Sequence, residues 1–579
     1  MSTRTSRARL AVSGVITAGL CLAGTATLAA PSHAAPGSCD VAYPVADLTA
    51  GQDVTGNTVT TGNDPTSGAF TGNVIGVLKD GIEPGVDMVM AQLTSTQIDK
   101  SGIWEGMSGS PVYATDGRLI GAVAYTLSYG STPVAGITPW EDMHAFPGTT
   151  AVPSKIKVGD ATARRIANAT SVTTAQASQG FSELRAPALV AGLGARALSM
   201  ATGRPYLNPQ VAPAGRAAAG GPVDADMVAG GNLVATESTG DILFGALGTI
   251  TSVCGDAVSG FGHPMQFAGS TTYGLAGADA LYVQSDSLGS SFKVANIGDV
   301  IGTVDQDRMT GIFGTLAGDG PPDFPVTSDI TYTPTGGTAI NRVGTSRIQL
   351  PAATAEVTFY ELMANHQATL DAYQKGSENQ SWTVTGKDGN GTPFTLQAGN
   401  RYTDTADITS ASVWDLPDML WLLTHLDGVT VDSVHQTSHI NDSTALHKMQ
   451  GLQQKRGGAW VTVDGTHPAL LKAGKNATLR LRYVGGDTGK AFSLPVPAKA
   501  AGARGRLFTE ESPSYWFERS FPRTLGGLKK LVDTMPRNDQ AVFDLYAFGG
   551  KSRPVHVHGL TKAESEVITG HGAFKVVIN

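Results

Sequence analysis

The sequence predicts a mostly β protein, and its composition and its hydrophobic patterning both indicate this class. Glycine occupies 72 of the 579 positions and aromatic residues make up only 7%, a balance typical of short strands joined by tight turns. Runs of β-branched and other apolar residues, at 73–78, 119–125 and 243–253, are bounded by Gly, Asp and Pro. We therefore expect strands to supply most of the regular structure.

The chain is long enough for three or four folding units, because one domain typically holds about 100–200 residues. Changes in composition and pattern divide the sequence beyond its N-terminal segment into five parts. These are a β unit carrying Ser108 at 41–147, a connecting segment with helix at 148–229, a β unit carrying His263 at 230–350, an α/β appendage at 351–454 and a C-terminal β-sandwich-like domain at 455–579.

Several elements within these parts have clear local signals. Helices are predicted at 184–202, where Ala and Leu dominate, at 361–375, and from Pro417 onwards. Further strands are predicted where apolar residues are bounded by turn residues, at 280–283, 327–332, 477–484 and 541–546.

The N-terminus has the pattern of a secretory signal peptide. Arg4, Arg7 and Arg9 precede an uncharged, mainly apolar stretch at 10–30, and small residues follow up to Ala34. We expect residues 1–34 to be removed by cleavage after Ala34 and the protein to be secreted. An uncleaved anchor is the alternative, since about 20 apolar residues can span a bilayer. No later segment is apolar enough to do so.

The charge of the chain bears on its partners. Charged residues make up 16% of the sequence and the formal net charge is −8, which argues against nucleic acid and against an anionic membrane surface as partners.

Two cysteines, Cys39 and Cys254, remain once the signal peptide is removed. Thiols tend to pair in the oxidising compartments outside the cell, so a single disulfide between them is expected. The alternative is two unpaired thiols, because the geometry of the fold decides whether cysteines pair.

The segment 106–111 (GMSGSP) is the sharpest candidate for chemistry. A serine hydroxyl needs a base to take its proton, and the oxyanion that forms needs preorganised N–H donors. Small residues around Ser108 allow a tight turn that directs the amides of Gly106 and Ser108 into one pocket. Ser108 is therefore the candidate nucleophile, and those two amides are the candidate oxyanion hole. A glycine-rich hairpin turn is the purely conformational alternative.

The segment 260–264 (GFGHP) supplies a candidate general base, His263, because histidine exchanges protons near neutral pH. Pro264 restricts His263 to extended backbone, and Gly262 leaves space beside the ring. A structural or merely solvated histidine is the alternative interpretation.

Two other histidine pairs invite a metal interpretation. His435 and His439 have helical i, i+4 spacing but lack the glutamate of a zinc peptidase, and His556 and His558 lack a third ligand. We interpret both pairs as non-functional and expect neither a metal site nor an organic cofactor.

Two separate regions resemble one known family. The segments 103–113 (IWEGMSGSPVY), 116–125 (DGRLIGAVAY) and 136–143 (GITPWEDM) are similar to the serine-bearing part of the SpoIVB-type serine peptidases, peptidase family S55. The segment 240–251 (GDILFGALGTIT), which leads into His263, and the segment 306–312 (QDRMTGI) resemble the histidine half. The similarity covers roughly residues 50–350.

The resemblance implies a secreted serine endopeptidase with two chymotrypsin-like β-barrels and an active site between them. Carried over by motif, Ser108 is the nucleophile and His263 the general base, and the substrate is a protein or peptide. In the sporulation-type members the histidine half comes first, whereas here Ser108 comes first; catalytic triads recur in several chain orders.

The third catalytic group is left open by the sequence. The acidic residue expected upstream of the serine is not evident, which leaves Asp99, Asp279 or Asp286, or a dyad without a carboxylate, as alternatives.

Two non-enzymatic hypotheses remain beside the peptidase. The first is a catalytically weak or inactive peptidase-like protein that binds or scaffolds partners, because a fold does not by itself give function. The second is a cell-surface adhesion protein whose C-terminal domain does the binding.

Overall fold

Strands supply most of the regular structure in the computed structural model, so the mostly β class predicted from the sequence is confirmed. The structure describes residues 40–128, 130–143, 155–200, 202–208, 211–217, 227–286, 290–316, 318–512, 521–549 and 554–579. The predicted signal peptide and Cys39 lie outside these residues. None of the helices in the described ranges is long and apolar enough to cross a membrane.

The first sheet contains a closed barrel of six antiparallel strands. Its strands are β1 (Asp53–Gly56), β2 (Phe70–Glu83), β3 (Val86–Thr94), β4 (Pro111–Ala114), β5 (Leu119–Leu127) and β6 (Val134–Pro139), with the short helices α1 (Ile98–Ser101) and α2 (Trp140–Met143). The pairings run β4-β1-β2-β3-β6-β5, and β5 pairs again with β4. Strand β5 is almost wholly buried, as an unbroken apolar run predicts for a strand covered on both faces.

The following segment contributes strands to two sheets. Its elements are β7 (Lys155–Ile156), α3 (Asp160–Ala169), α4 (Thr174–Ala177), β8 (Phe181–Glu183), β9 (Ala188–Ala191), α5 (Ala195–Met200), β10 (Val211–Pro213) and β11 (Gly215–Arg216). Strands β8 and β7 extend the first sheet from β5, whereas β9, β10 and β11 join the second.

The helix predicted at 184–202 is wrong over most of its length. Only α5 is helical there, and β9 occupies the centre of the segment. Strand β9 pairs with residues 243–246 of the second sheet. This tertiary pairing overrides the helix propensity of the Ala-rich and Leu-rich sequence.

The second sheet begins with six strands in antiparallel pairs. They are β12 (Asn232–Gly240), β13 (Leu243–Cys254), β14 (Ala257–Gly260), β15 (Gly269–Gln284), β16 (Phe292–Arg308) and β17 (Gly311–Thr315). The pairings run β13-β14-β17-β16-β15-β12, and β12 also pairs with β13.

The same sheet continues into the predicted α/β appendage. Its further elements are β18 (Phe324–Thr333), β19 (Ile340–Ile348), α6 (Thr354–Leu370), β20 (Gly376–Lys387), β21 (Pro393–Asp404), α7 (Ile408–Ser412), α8 (Asp415–Thr424) and β22 (Thr430–Asn441). The order is β12-β19-β18-β22-β20-β21. Helices α6 and α8 bury Phe359 and Leu420 in one core with Trp382 of β20.

Two details of this part correct the sequence predictions. Helix α6 begins before residue 361 and ends at Leu370, because Asp371 adopts left-handed backbone with φ 49°. His435 and His439 lie on strand β22, so the helical spacing read from the sequence does not apply to them.

The C-terminal part forms two five-stranded sheets. Its elements are β23 (Leu446–Arg456), β24 (Ala459–Val463), β25 (Ala469–Leu471), β26 (Asn476–Tyr483), β27 (Phe492–Pro495), β28 (Arg504–Glu511), α9 (Leu525–Thr534), β29 (Ala541–Phe548), β30 (Val555–Leu560), β31 (Val567–Thr569) and β32 (His571–Ile578). Leu452 and Leu479 of one sheet share a buried cluster with Leu507 and Leu545 of the other. The five predicted domain boundaries stay predictions.

Cys254, the last residue of β13, is disulfide-bonded. Its predicted partner, Cys39, lies outside the described residues, but the next residue, Asp40, is fixed close to Cys254. The Ser252 hydroxyl donates to the Asp40 carboxylate, and the Trp140 Nε1–H donates to the Asp40 carbonyl at 3.1 Å. This anchoring supports the predicted pairing of Cys39 with Cys254.

Replacement of Cys254 by serine tests the disulfide. We expect Cys254→Ser to lower the free energy of unfolding by about 2–5 kcal/mol, because the open chain regains loop entropy in the unfolded state. Urea unfolding of the mature protein measures the change. Two free thiols in the denatured, unreduced wild-type protein would contradict the pairing.

Candidate functional site

The serine turn, residues 106–111, connects α1 to β4 and requires glycine at two positions. Gly106 and Gly109 have φ of +90° and +96°, which favour glycine. A Cβ at Gly109 would lie 1.9 Å from the Thr249 carbonyl oxygen. The close approach of this turn to β13 therefore depends on the absence of a side chain at residue 109.

Hydrogen bonds hold the serine turn between β5 and β13. The Gly109 amide donates to the Val123 carbonyl at 2.8 Å, and the Val123 amide donates to the Ser110 carbonyl at 3.0 Å. On the other side, the Thr249 amide donates to the Ser108 carbonyl at 2.7 Å. Ser108 is therefore fixed from both sides.

The amides of Gly106 and Ser108 donate no hydrogen bond to any residue within the described part of the chain. An oxyanion hole requires donors of this kind, uncommitted and fixed in a rigid turn. Their role as an oxyanion hole remains a prediction.

The histidine turn, residues 260–264, packs on the same barrel. The Thr138 hydroxyl of β6 donates to the Gly262 carbonyl at 2.5 Å. Gly262 has φ +69°, and a Cβ there would lie 2.8 Å from the Cβ of Ala122 in β5. The absence of a side chain at Gly262 thus lets the turn lie directly against β5.

The ring of His263 is buried, with 1% of the residue exposed, and its two nitrogens differ. Nδ1 lies 2.7 Å from the Pro264 carbonyl oxygen. Because a carbonyl oxygen only accepts, Nδ1 is the protonated nitrogen of the neutral ring, and Nε2 is then the nitrogen with the lone pair. Nε2 has no hydrogen-bond partner among the described residues, so this tautomer is the one that a general base needs.

Glu183, which no motif in the sequence singles out, is the carboxylate that contacts His263. Glu183 Oε1 lies 3.4 Å from His263 Nδ1, and the Glu183 side chain is 24% exposed. Glu183 ends β8 and pairs with Tyr125 of β5. Its only local signal is the alternation of Phe181, Ser182 and Glu183, which is too short to identify a strand.

The three aspartates considered from the sequence lie in other contacts. Asp99, in α1, accepts a hydrogen bond from the Thr94 hydroxyl at 3.1 Å. Asp279 faces Asn296 in the β15–β16 pair. Asp286 follows β15, and its amide donates to Ser291 Oγ at 3.2 Å.

The serine turn and the histidine turn both contact residues 122–124 of β5, and these contacts bring Ser108 and His263 to the same part of the structure. Ser108 is 0% exposed, and its Oγ, like His263 Nε2, has no hydrogen-bond partner among the described residues. The two groups are therefore not hydrogen-bonded to each other in this conformation. Their role as nucleophile and base stays a prediction.

A buried lysine lies against the serine turn. A Cβ at Gly106 would be 3.1 Å from the Cβ of Lys293 in β16. Lys293 is 0% exposed, and its Nζ donates to Asn232 Oδ1 at 2.8 Å. Burial lowers the pKa of Lys293 to about 7, since a neutral amide compensates an ammonium poorly.

The other histidine pair also has a defined environment. His556 Nε2 and His558 Nδ1 lie 2.6 Å and 3.1 Å from Asp544 Oδ1, and both rings are half exposed. In the described ranges no group of three or more His, Cys, Asp or Glu side chains is arranged to hold a metal ion.

Comparison of the chain with protein-family models, with curated proteins and with solved structures found no match. The resemblance to the SpoIVB-type peptidases therefore rests on the motifs of the sequence.

Ser108 and Ser110, two serines of the serine turn, give a matched test of which buried hydroxyl has a hydrogen-bond partner. Ser108→Ala removes a buried hydroxyl that has no partner, so we expect an unchanged or higher melting temperature. Ser110→Ala removes the 2.6 Å hydrogen bond to the Met107 carbonyl, so we expect a loss of about 1 kcal/mol. Differential scanning calorimetry distinguishes the two. A greater loss for Ser108→Ala than for Ser110→Ala would contradict the geometry.

Lys293→Met tests the buried amine. The unfolded chain keeps a lysine pKa near 10.5, so between about pH 7 and 10.5 the folded wild type binds fewer protons than the unfolded chain. Lys293 therefore makes the free energy of unfolding of the wild type rise with pH in this range. The stability advantage of Lys293→Met over the wild type should be greatest at pH 7 and below. Urea unfolding from pH 6 to 10 measures this difference. The exposed control Lys387→Met should show no such trend, and a flat difference for Lys293→Met would refute the prediction.

Proposed function

We propose that the protein is a secreted serine endopeptidase of the SpoIVB type, in which Ser108 attacks the peptide bond and His263 is the general base. One observation carries the proposal: Nδ1 of His263 lies against a carbonyl oxygen, and neither His263 Nε2 nor the Ser108 hydroxyl has a hydrogen-bond partner among the described residues. Neither turn uses these polar atoms for its own stability, although buried polar atoms normally have partners.

The reaction begins with acyl transfer. His263 Nε2 accepts the proton of Ser108 as Oγ bonds to the carbonyl carbon of the substrate. The carbonyl oxygen becomes an oxyanion and accepts hydrogen bonds from the Gly106 and Ser108 amides. The imidazolium then gives its proton to the leaving amine nitrogen as the C–N bond breaks, which leaves an acyl-enzyme on Ser108.

Water completes the cycle in the same site. His263 Nε2 takes a proton from water as its oxygen attacks the acyl carbon, and then returns a proton to Ser108 as the ester bond breaks. These steps use no metal or organic cofactor.

Glu183 acts on the reaction through His263 in this proposal. Its carboxylate, 3.4 Å from Nδ1, favours the imidazolium that forms during both steps. The Pro264 carbonyl, closer to Nδ1 at 2.7 Å, already fixes the tautomer. Glu183 therefore supplies charge stabilisation, and the carbonyl supplies orientation.

The architecture that we propose with this function is a pair of chymotrypsin-like barrels. The closed barrel β1–β6 carries Ser108, and the circular set of pairings among β12–β17 supports a second barrel carrying His263. The segment 148–229 then connects the two and supplies Glu183. The α/β appendage, the β-sandwich-like C-terminal domain and the signal peptide 1–34 belong to the same proposal.

A peptidase-like binding or scaffold protein is the second candidate. Complete burial of Ser108 and His263 without a hydrogen bond between them favours it, because a substrate must reach the hydroxyl. An active enzyme has to expose Ser108 and bring Nε2 within about 2.6–3.2 Å of Oγ when substrate binds.

A fluorophosphonate probe separates these two candidates, because the probe phosphonylates only an activated serine. We expect the mature wild-type protein to be labelled, with fluoride as the leaving group, and expect no labelling of Ser108→Ala or His263→Ala. The matched control Ser110→Ala should keep its label. Absence of labelling in the folded wild type would leave the scaffold as the better account.

Glu183→Gln measures the charge stabilisation that Glu183 supplies. The glutamine keeps the size of the side chain and removes its charge, so we expect labelling about 10- to 100-fold slower at an unchanged melting temperature. This fall in labelling rate is smaller than the fall expected for a catalytic triad in which the carboxylate alone orients the ring, because here the Pro264 carbonyl also orients it. A labelling rate equal to that of the wild type would remove Glu183 from the mechanism.

A further inference from the structure

A cavity of about 270 Å³ lies beside the candidate site. Its lining combines apolar side chains, among them Leu207, Phe244 and Met265, with the carboxyl groups of Glu237 and Glu356. Glu237 belongs to β12 and Glu356 to α6. The two acids thus come from different elements and face a single cavity.

Both acids are buried, and each has one uncommitted oxygen. Glu237 and Glu356 are 4% and 8% exposed. Oε1 of Glu237 accepts from Gln266 Nε2 at 2.8 Å, and Oε1 of Glu356 accepts from the Asn208 amide at 2.9 Å and the Tyr360 hydroxyl at 2.8 Å. Neither Oε2 has a hydrogen-bond partner among the described residues.

The cavity lacks a compensating cation within the described part of the chain. Neither Glu237 nor Glu356 forms an ion pair there, and Arg204 is held by Asp418 at 2.9 Å. Burial raises the pKa of Glu237 to about 8 and the pKa of Glu356 to about 7. Carboxyl groups in such a place gain from a cation that enters the cavity.

The cavity and the candidate catalytic groups share two segments. Met265 and Ala186 line the cavity, and each follows shortly after a site residue, His263 and Glu183 respectively. Consecutive Cα atoms are about 3.8 Å apart, so the Met265 Cα lies within about 8 Å of the His263 Cα. The cavity therefore lies beside the segments that hold His263 and Glu183.

We propose that this cavity is a specificity subsite that takes an arginine or lysine side chain of the substrate, close to the bond that Ser108 attacks. The assignment rests on the proposed function. The apolar lining suits the methylene stem of such a side chain, and the two carboxyl groups, whose ionised form a neighbouring cation favours, suit its charged end. A metal ion would gain nothing from the apolar lining.

Cleavage specificity gives the first test. The mature protein is incubated with denatured protein substrates, and the new termini are identified by mass spectrometry. We expect Arg and Lys to be enriched at one position beside the cleaved bond. For a peptide with Arg there, Glu237→Gln and Glu356→Gln should each lower kcat/KM by about 10- to 100-fold, with little change for the same peptide carrying norleucine.

Glu361→Gln is the matched control for these variants. Glu361 is also a buried acid of α6, but it accepts from the Ser346 hydroxyl and does not line the cavity. We expect Glu361→Gln to retain the wild-type ratio of kcat/KM for the Arg and norleucine peptides. A loss of preference in this control equal to that in Glu237→Gln would overturn the assignment.

A binding test that needs no catalysis separates this inference from the proposed function. Agmatine, a butyl chain with a guanidinium at one end and an ammonium at the other, is added to the Ser108→Ala protein. The melting temperature is compared with that in 4-aminobutylurea, which keeps the ammonium and replaces the guanidinium with a neutral urea. We expect agmatine alone to raise the melting temperature, and the rise to vanish in Ser108→Ala combined with Glu237→Gln.

Two outcomes decide between the claims. A rise that depends on Glu237, together with absent fluorophosphonate labelling of the wild type, would support the cavity as a guanidinium-binding site and reject both the peptidase and the role of the cavity in cleavage specificity. Labelling of the wild type without an agmatine effect and without Arg or Lys enrichment would reject the subsite and keep the peptidase.

Discussion

Val123 in strand β5 is the residue around which the candidate site is organised. Its amide and carbonyl both bond to the serine turn, at 3.0 Å and 2.8 Å. The neighbouring Ala124 carbonyl accepts the Leu184 amide at 2.8 Å, which fixes the strand end that carries Glu183. The histidine turn packs on Ala122. One strand therefore fixes the positions of all three candidate groups, and any shift of β5 moves them together.

This arrangement needs residues without side chains where each of the two turns approaches a neighbouring strand. The serine turn approaches β13 at Gly109 and the histidine turn approaches β5 at Gly262, and each glycine has a positive φ. A side chain at either position would separate the turn from its neighbour and add backbone strain. The glycines that make the two motifs recognisable in the sequence are thus required by close approach, whether or not the protein is catalytic.

The same reasoning explains how far the sequence predicts the fold and the site. Long apolar runs such as 243–253 identify strands because both the spacing of their apolar residues and their length fit a strand. Strand β13 indeed spans Leu243–Cys254. The short strands β8 and β9 carry no such signal, since three or four residues are too few to show a period. Glu183 lies at the end of β8, just before the stretch read as helix, and for this reason it was missed.

The acidic cavity could not be read from the sequence for a different reason. Glu237 and Glu356 lie in separate parts of the chain, and each has an ordinary local context, one in a strand and one in the first turns of a helix. Only the packing of α6 on β18 and β19, the second of which pairs with β12, brings the two carboxyl groups to one cavity. Proximity of this kind depends on tertiary contacts that no local pattern encodes.

Two buried polar atoms without hydrogen-bond partners bear on both the stability of the fold and the proposed chemistry. The hydroxyl of Ser108 and Nε2 of His263 are removed from water without a hydrogen bond in exchange, and each such atom costs about 1–3 kcal/mol. Selection for stability alone favours apolar side chains at both positions, because they avoid that penalty. In the proposed peptidase reaction, in contrast, the substrate carbonyl and the attacking Ser108 hydroxyl use both atoms and both free amides at once. Under that proposal, the free energy withheld from folding is recovered in the transition state.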